Sequence, residues 1–513
     1  MKDIYDVVVF GGGITGAGVF REAVRFGLNV LLLEKRDFAW GASSKSSKLV
    51  HGGLRYLKGG HIFLTRDSVK ERERLINEIP GLVSRLEFLF PIFKNQSPGK
   101  LGMKIALTLY DLLAGKRFHQ YHSTHHVKEI FPHIDSNRLT GGFTFSDAQV
   151  DDARLVQRLI NEGKEAGGDA LNYSYASKII RNKDGLVESI IIKDSESQKE
   201  MGEIQTQAII NATGSWAEEI QSSPKKNLHL RPLRGSHLVF PQSRIPILQA
   251  ISFGHPKDNR PLSFTPWEGA VLFGTTDLDH RHSLEKEPNI TAEEITYLFE
   301  ALDLFFPDLK LSKKDCISSF AGIRPVLSDG KKDPSKESRE HVVWKNKGLV
   351  TVTGGKLTTF RLLAIDALKA ALPSMGKPVS FNKNARIFNA METSVEEWKL
   401  PKDMGKRLTG RYGNRTPDLL KDATEETLKV IPNTQTVWAE IPFVAKTETV
   451  RHLTDLLLRR VRIGLILPEG GAEHLDRIQE LCSDGLKWDE SKWEQEKRDY
   501  VKNWNACYSL ENR

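Results

Sequence analysis

An α/β fold of several domains is predicted for this chain by three observations. The apolar run Val7-Val8-Val9-Phe10 leads into the glycine pattern Gly11-x-Gly13-x-x-Gly16. A helix of about ten residues follows, the usual partner of such a turn. A second apolar run over 29–33 then delivers Glu34, eighteen residues beyond Gly16. Strand, turn, helix, strand and acid in this register form a Rossmann-like unit. Gly11 allows the tight turn, Gly13 lets backbone approach a pyrophosphate, and Gly16 lets helix and strand pack closely. The helix N-terminus, with Ile14 and Thr15 in its first turn, offers N–H groups and a partial positive charge to phosphates. Glu34, with Lys35 beside it, is placed to accept hydrogen bonds from ribose hydroxyls, and its charge would repel a 2′-phosphate. The unit implies an adenine dinucleotide and leaves NAD and FAD both open.

With 513 residues the chain is too long for one core and should divide into two or three domains. Hydrophobic residues at 39 % and charged ones at 27 % fit a globular enzyme rather than a disordered chain. No run approaches the roughly 18 apolar residues of a spanning helix. Asp3 and Asp6 stand where a signal peptide would be basic, so no such leader is expected. Cys316, Cys482 and Cys507 have no ligand spacing, which suits a reducing cytoplasm and leaves no metal or iron–sulfur site expected. The net charge of +8 is spread among interleaved acids, so nucleic acid is not an expected partner.

Along the chain, 1–60 read as strand, helix and strand followed by a Ser/Gly-rich loop, and 61–130 read as helical and basic. Segments 171–180 and 187–193 alternate as strands around a turn at 182–185. A buried strand over 208–211 ends at Ala212-Thr213-Gly214, and 228–280 are strand-rich. Another strand over 349–353 enters Gly354-Gly355-Lys356 and then a helix. Beyond about 383 the pattern is helical and charged, as in a separate small domain. The dinucleotide domain is therefore expected from 1–75, 145–225 and 320–380. A mixed-sheet substrate and membrane-facing domain is expected from 76–144 and 226–319, and a helical C-terminal domain from 384–513.

Two stretches stand out for chemistry. Ser43, Ser44, Lys45, Ser46, Ser47 and Lys48 put four hydroxyls and two lysines in six residues, a dense donor set for phosphates and ring carbonyls. Gly52-Gly53 beside Arg55 and Tyr56 suggests backbone pressed against a flat ring while a cation faces an anion. Over 98–118, Leu101, Ile105, Leu109, Leu112 and Leu113 share one helical face, flanked by Lys100, Lys104, Lys116 and Arg117. Such a helix packs on a core or lies in a bilayer interface.

The string Gly11-Gly12-Gly13-Ile14-x-Gly16-Ala17-Gly18, followed by Ser46-Ser47-Lys48-Leu49-x-His51-Gly52-Gly53-Leu54-Arg55-Tyr56-Leu57, closely resembles the FAD-dependent, quinone-linked glycerol-3-phosphate dehydrogenases. The resemblance continues through Arg234-Gly235-Ser236-His237, Gly274-Thr275-Thr276-Asp277, Phe320-Ala321-Gly322-Ile323-Arg324-Pro325, Gly354-Gly355-Lys356-Leu357-Thr358-Thr359-Phe360-Arg361 and the Leu-Leu-Arg-Arg-Val-Arg-Ile-Gly stretch at 457–464. It implies a glutathione-reductase-like or D-amino-acid-oxidase-like fold and FAD as the cofactor.

The expected FAD contacts are then Gly11, Gly13, Ile14, Thr15, Gly16, Glu34, Lys35, Ser43, Ser44, Ser46, Ser47, Lys48, Leu49, His51, Gly52, Ala176, Ala212, Thr213, Gly214, Trp216, Gly355, Lys356, Leu357 and Thr358. A helix after Gly355 would aim its positive end at the flavin, where negative charge gathers on reduction. The resemblance further implies oxidation of sn-glycerol 3-phosphate to dihydroxyacetone phosphate. His237 would be the base, with His51 its rival. Arg55, Arg324, Arg339 and Lys356 would clamp phosphate and hydroxyls beside Tyr56, because arginine matches phosphate with a planar fork. Electrons would pass to a membrane quinone, with the enzyme held peripherally on the cytoplasmic face of the inner membrane through 98–118. A homodimer is compatible with this. The rival readings are a glycerol-3-phosphate oxidase using oxygen, a non-catalytic FAD-bound regulatory protein and an amine-oxidising relative.

Overall fold

The structure, a computed structural model, describes all residues except 58–59, 96–97, 136, 221–228, 329–340, 378–379, 383, 393–397 and 512–513, together with the side chain of Arg55. Both apolar runs at the N-terminus form strands, Val7–Phe10 and Val30–Leu33, and every residue in them is buried. Unbroken hydrophobicity of this kind belongs to strands covered on both faces. They are central in a six-stranded sheet ordered His341–Asn346, Leu349–Gly354, Ile209–Asn211, Val7–Phe10, Val30–Leu33, Asp169–Leu171. All neighbours run parallel except the first pair. Helix Ile14–Arg25 packs against Asp152–Glu165 and Phe360–Met375. Gly16 explains how closely it sits on the sheet, since a Cβ there would lie 1.8 Å from the Gly11 carbonyl oxygen.

A second, nine-stranded sheet runs Leu278–Asp279, His229–Pro241, Ala270–Gly274, Pro261–Trp267, Ala250–Gly254, Val83–Phe93, Leu139–Val150, Gln120–His122, with Ser318–Ser328 paired to His229–Pro241. It is mixed, because Ala250–Gly254 runs parallel to Val83–Phe93. A three-stranded antiparallel sheet, Ser174–Arg181, Val187–Asp194 and Glu200–Gln205, turns at Asn182 as expected.

Two expectations need correction. The helical reading of 61–130 holds for Ile62–Glu78, Lys100–Ala114 and Thr124–Ile130, but Val83–Phe93 is an eleven-residue strand. Its aromatic and branched residues pair along Leu139–Val150, and that long-range pairing overrides local propensity. Strands Leu139–Val150 and Ser318–Ser328 both lie in the second sheet, although 145–150 and 320–328 were assigned to the dinucleotide domain. The C-terminal region is helical, as expected, and packs closely on the second sheet. Lys402–Tyr412, Glu440–Thr447, Leu475–Leu486 and Glu490–Cys507 share one core with Val239, Trp267, Leu272 and Phe320 of the second sheet. Buried ion pairs join the same region to the dinucleotide fold. Glu448 accepts from Arg154 at 2.6 and 2.8 Å, and Asp37 accepts from Arg459 at 2.5 Å and from Arg460 at 2.7 and 2.9 Å.

Candidate active site

A cavity of about 1070 Å³ runs from the first sheet's C-terminal edge to the face of the second sheet. One end is built by the glycine turn. Gly11, Gly13, Ile14 and Thr15 line it, and Gly13 caps the helix without a side-chain hydrogen bond to the first turn. First-turn N–H groups other than that of Ile14 are then open to a pyrophosphate. Ser43 Oγ accepts from the Ile14 N–H at 2.9 Å and joins the serine loop to the turn. Glu34 lies at the wall and accepts from the Gly12 and Arg36 N–H groups at 2.7 and 2.8 Å. Burial raises its carboxyl above the usual range, against those two hydrogen bonds. Lys35, Ala176, Ala212, Thr213, Gly214 and Trp216 continue the wall, and Trp40 packs on Trp216 with ring centroids 6.0 Å apart. The donor set and the long, mixed lining fit FAD.

The middle and far end hold the second half of the expected set. Ser46, Ser47, Leu49, His51, Tyr56, Gly355, Lys356, Leu357, Thr358 and Arg324 all line the cavity. The Lys356 ammonium sits 3.6 Å from the Tyr56 ring centroid and donates to Ser68 Oγ at 3.1 Å. Arg324 is oriented by its own neighbours. Nη1 donates to the Thr276 carbonyl at 3.2 Å and to Asp277 at 3.1 Å, and Nη2 donates to Thr275 Oγ1 at 3.0 Å. Its guanidinium crosses Gly235, where a Cβ would lie 2.2 Å from both terminal nitrogens. Any side chain at 235 would push the fork out of this position.

His237 sits one layer back and is not on the wall. Its Nε2 is 2.9 Å from Ser47 Oγ, and its ring stacks on Phe320 at 4.7 Å. Nδ1 is buried with no partner among the described residues. An unsatisfied buried polar atom costs about 1–3 kcal/mol, so this position is not explained by stability. Burial, then the Arg324 and Lys48 cations, push the imidazole well below the usual 6.5 and keep it neutral.

Four expected cofactor contacts turn away from the cavity. Gly16 abuts the Gly11 backbone, and a Cβ on Gly52 would strike the Tyr110 hydroxyl. Ser44 and Lys48 are buried, and the Lys48 ammonium donates to the Ser44 carbonyl at 2.5 Å and to both Asp152 oxygens at 2.9 Å. An ammonium this close to a fully buried carboxylate stays with it rather than facing a ligand. Arg339 and the Arg55 side chain lie outside the described residues. Sequence reading assigned no role to Asp277, Thr275 or Arg260. Asp277 is shared between Arg324 and Arg260, whose Nη1 is 3.0 Å from Oδ2, and Arg260 also lines the cavity. The Gly274-Thr275-Thr276-Asp277 string marked the place, but nothing local to it marks a carboxylate as an arginine's partner.

A family model described as FAD dependent oxidoreductase matches residues 6–361, and one described as C-terminal domain of alpha-glycerophosphate oxidase matches 381–493. An aerobic glycerol-3-phosphate dehydrogenase of Staphylococcus haemolyticus is 34% identical over 484 residues, covering 89% of this chain and 86% of the relative. Its Staphylococcus aureus (strain USA300) counterpart is 30% identical over 513 residues, covering 95% and 92%. A solved glycerol-3-phosphate dehydrogenase from Bacillus halodurans, complexed with FAD, superposes with a TM-score of 0.78 at 24% identity, covering 99% of this chain and 95% of that one.

Replacing Glu34 by alanine should weaken FAD retention by tenfold or more, as a charge-assisted hydrogen bond is worth about 1.5–3 kcal/mol. Fluorescence titration of the apoprotein measures it, and unchanged affinity would remove Glu34 from the site.

Proposed function

Because the chain belongs to the FAD-dependent oxidoreductase family, and within it to the aerobic glycerol-3-phosphate dehydrogenases, we propose that it oxidises sn-glycerol 3-phosphate to dihydroxyacetone phosphate. One observation carries this reading. Arg324, Lys356 and a serine hydroxyl backed by a neutral histidine all meet one cavity whose other end is the glycine turn.

Bound FAD supplies the acceptor for the hydride leaving C2. The residues of the chain manage charge, position and the proton. Arg324 and Lys356 hold the phosphate dianion and fix the hydroxyl that reacts. Ser47 Oγ takes the C2 hydroxyl proton as its own proton passes to His237 Nε2. The neutral imidazole is the form able to accept it. His51, on the wall beside Tyr56 with the two rings stacked 6.2 Å apart, holds the ring region in place and leaves the base role to His237.

Arg324→Lys keeps the charge and loses the fork. It should lower kcat/KM for glycerol 3-phosphate by roughly ten- to a hundredfold, the equivalent of about 1.5–3 kcal/mol. Steady-state assays with a soluble dye measure this, and an unchanged value would remove Arg324 from the clamp.

The quinone reading rests on the helix Lys100–Ala114. Met103, Leu107 and Tyr110 are buried, whereas Leu101, Ile105 and Leu112 are 71%, 61% and 76% exposed. The helix therefore packs on the core with one apolar face and presents a second outward. Phe63, on the adjoining helix Ile62–Glu78, is 78% exposed. Ile105, Ala106 and Leu109 also line the cavity, which supports a route from a bilayer at this face toward the reacting centre. No helix among the described residues is long and apolar enough to cross a membrane. We read the enzyme as seated on the membrane surface and passing its electrons to a quinone there.

Leu101→Asp together with Leu112→Asp should release the protein from anionic vesicles and slow quinone reduction, while activity with a soluble dye persists. Neither residue lines the cavity. Sedimentation in low and high salt is the measurement. Salt should loosen the wild type only partly, because it screens the flanking lysines but not the leucines. A double variant that stays bound and reduces quinone normally would leave the helix no membrane role.

A further inference from the structure

The stretch at 457–464 has no place in the site described so far, yet one of its residues reaches the serine loop. Arg462 is fully buried in a left-handed conformation, φ 68°. Its Nη2 donates to the Ser44 carbonyl at 2.8 Å and lies 3.4 Å from Asp152 Oδ1, and Nη1 is 3.9 Å from Asp151. The same Ser44 carbonyl accepts from Lys48, whose ammonium is also bound to Asp152. Asp152 Oδ2 further accepts from the Ser46 N–H at 2.9 Å and from Ser46 Oγ at 2.7 Å. Residues 44, 46 and 48 are thus held through Arg462, Lys48 and Asp152. Ser47, between them, faces the cavity and the His237 imidazole.

We propose that Arg462 is a positioning residue through which the C-terminal region holds the 44–48 loop and so sets the Ser47 hydroxyl against His237. A side chain Oγ 2.9 Å from its partner loses proton-transfer geometry with small backbone shifts. A doubly bonded carbonyl at Ser44 limits such shifts. The proposal rests on the reading of Ser47 and His237 as the proton path.

The test uses the full-length, FAD-loaded protein with Arg462→Gln and the milder Arg462→Lys. Hydrogen exchange should quicken about tenfold in amides 44–48 and stay unchanged in helix Ile14–Arg25, a local loosening rather than a global one. The limiting rate of anaerobic flavin reduction by glycerol 3-phosphate should fall about tenfold, with the half-saturating concentration within about twofold of wild type. Ser47→Ala should lower the same rate, and adding Arg462→Gln to it should cost no more than about another twofold, since both act on one hydroxyl. Should the Gln variant fail to fold, the Lys variant must show the same pattern in smaller measure. Unchanged loop exchange, or rate losses that multiply, would overturn the proposal. Wild-type reduction by Ser47→Ala would instead overturn the proton path, and the positioning role with it.

Discussion

Buried cation–carboxylate pairs between the C-terminal helices and the dinucleotide fold are the constraint on which the rest of the molecule depends. A charge removed from water is costly unless paired, and removing one partner strands the other. Asp37 stands just beyond the second strand and is fully buried, so its carboxylate requires Arg459 and Arg460 from more than four hundred residues away. Burial drives its carboxyl up, but Arg460 and Arg459 pull it down to about 2. Glu448 follows the same pattern against Arg154, also reaching about 2. Either half folded alone would leave these charges without their partners, at a cost of about 3–5 kcal/mol for each broken pair that stays buried.

The same constraint governs the chemistry. Lys48 and Arg462 meet Asp152 behind the serine loop, and burial, then the Arg462 cation, bring the Lys48 ammonium down to about 7. In front of the loop, the Arg324 fork is tied to Asp277 and two threonines rather than left to solvent. Between them His237 is enclosed and neutral, its ring bonded among the described residues to Ser47 alone. A dianionic substrate requires cations, and proton removal requires a neutral base. The fold supplies both at one site by giving most of its cations carboxylate partners and leaving the imidazole, one layer behind the cavity wall, without one among the described residues.

Much of this was legible in the sequence wherever function imposes a local pattern. The glycine turn, Glu34, the strand ending at Ala212, and Gly355-Lys356 all reached the cavity wall because backbone approach and strand order dictate residue type at fixed spacing. Lys48 was misread because its donor chemistry suits a phosphate, while its partner, Asp152, lies a hundred residues on. Val83–Phe93 was misread because its strand state comes from pairing with Leu139–Val150, invisible in a local window. The apolar stripe of 98–118 was legible and was expected to meet a membrane surface. Met103, Leu107 and Tyr110, which supply the face packed on the core, were not singled out, because their burial depends on partners distant in sequence. Asp277 shows the same limit, because a buried carboxylate serving an arginine has no periodicity to reveal it.

The central claim is that His237, held neutral behind Ser47, receives the proton during substrate oxidation. Its most direct test is the limiting rate of anaerobic flavin reduction by glycerol 3-phosphate measured across pH. A base whose imidazole lies well below 6.5 is already deprotonated at neutrality. The rate should therefore be flat from pH 6.5 upward and fall only on further acidification, and His237→Gln should abolish that acid limb along with most of the rate. A limb centred at or above 6.5, or a His237→Gln variant that reduces its flavin like the wild type, would contradict the account.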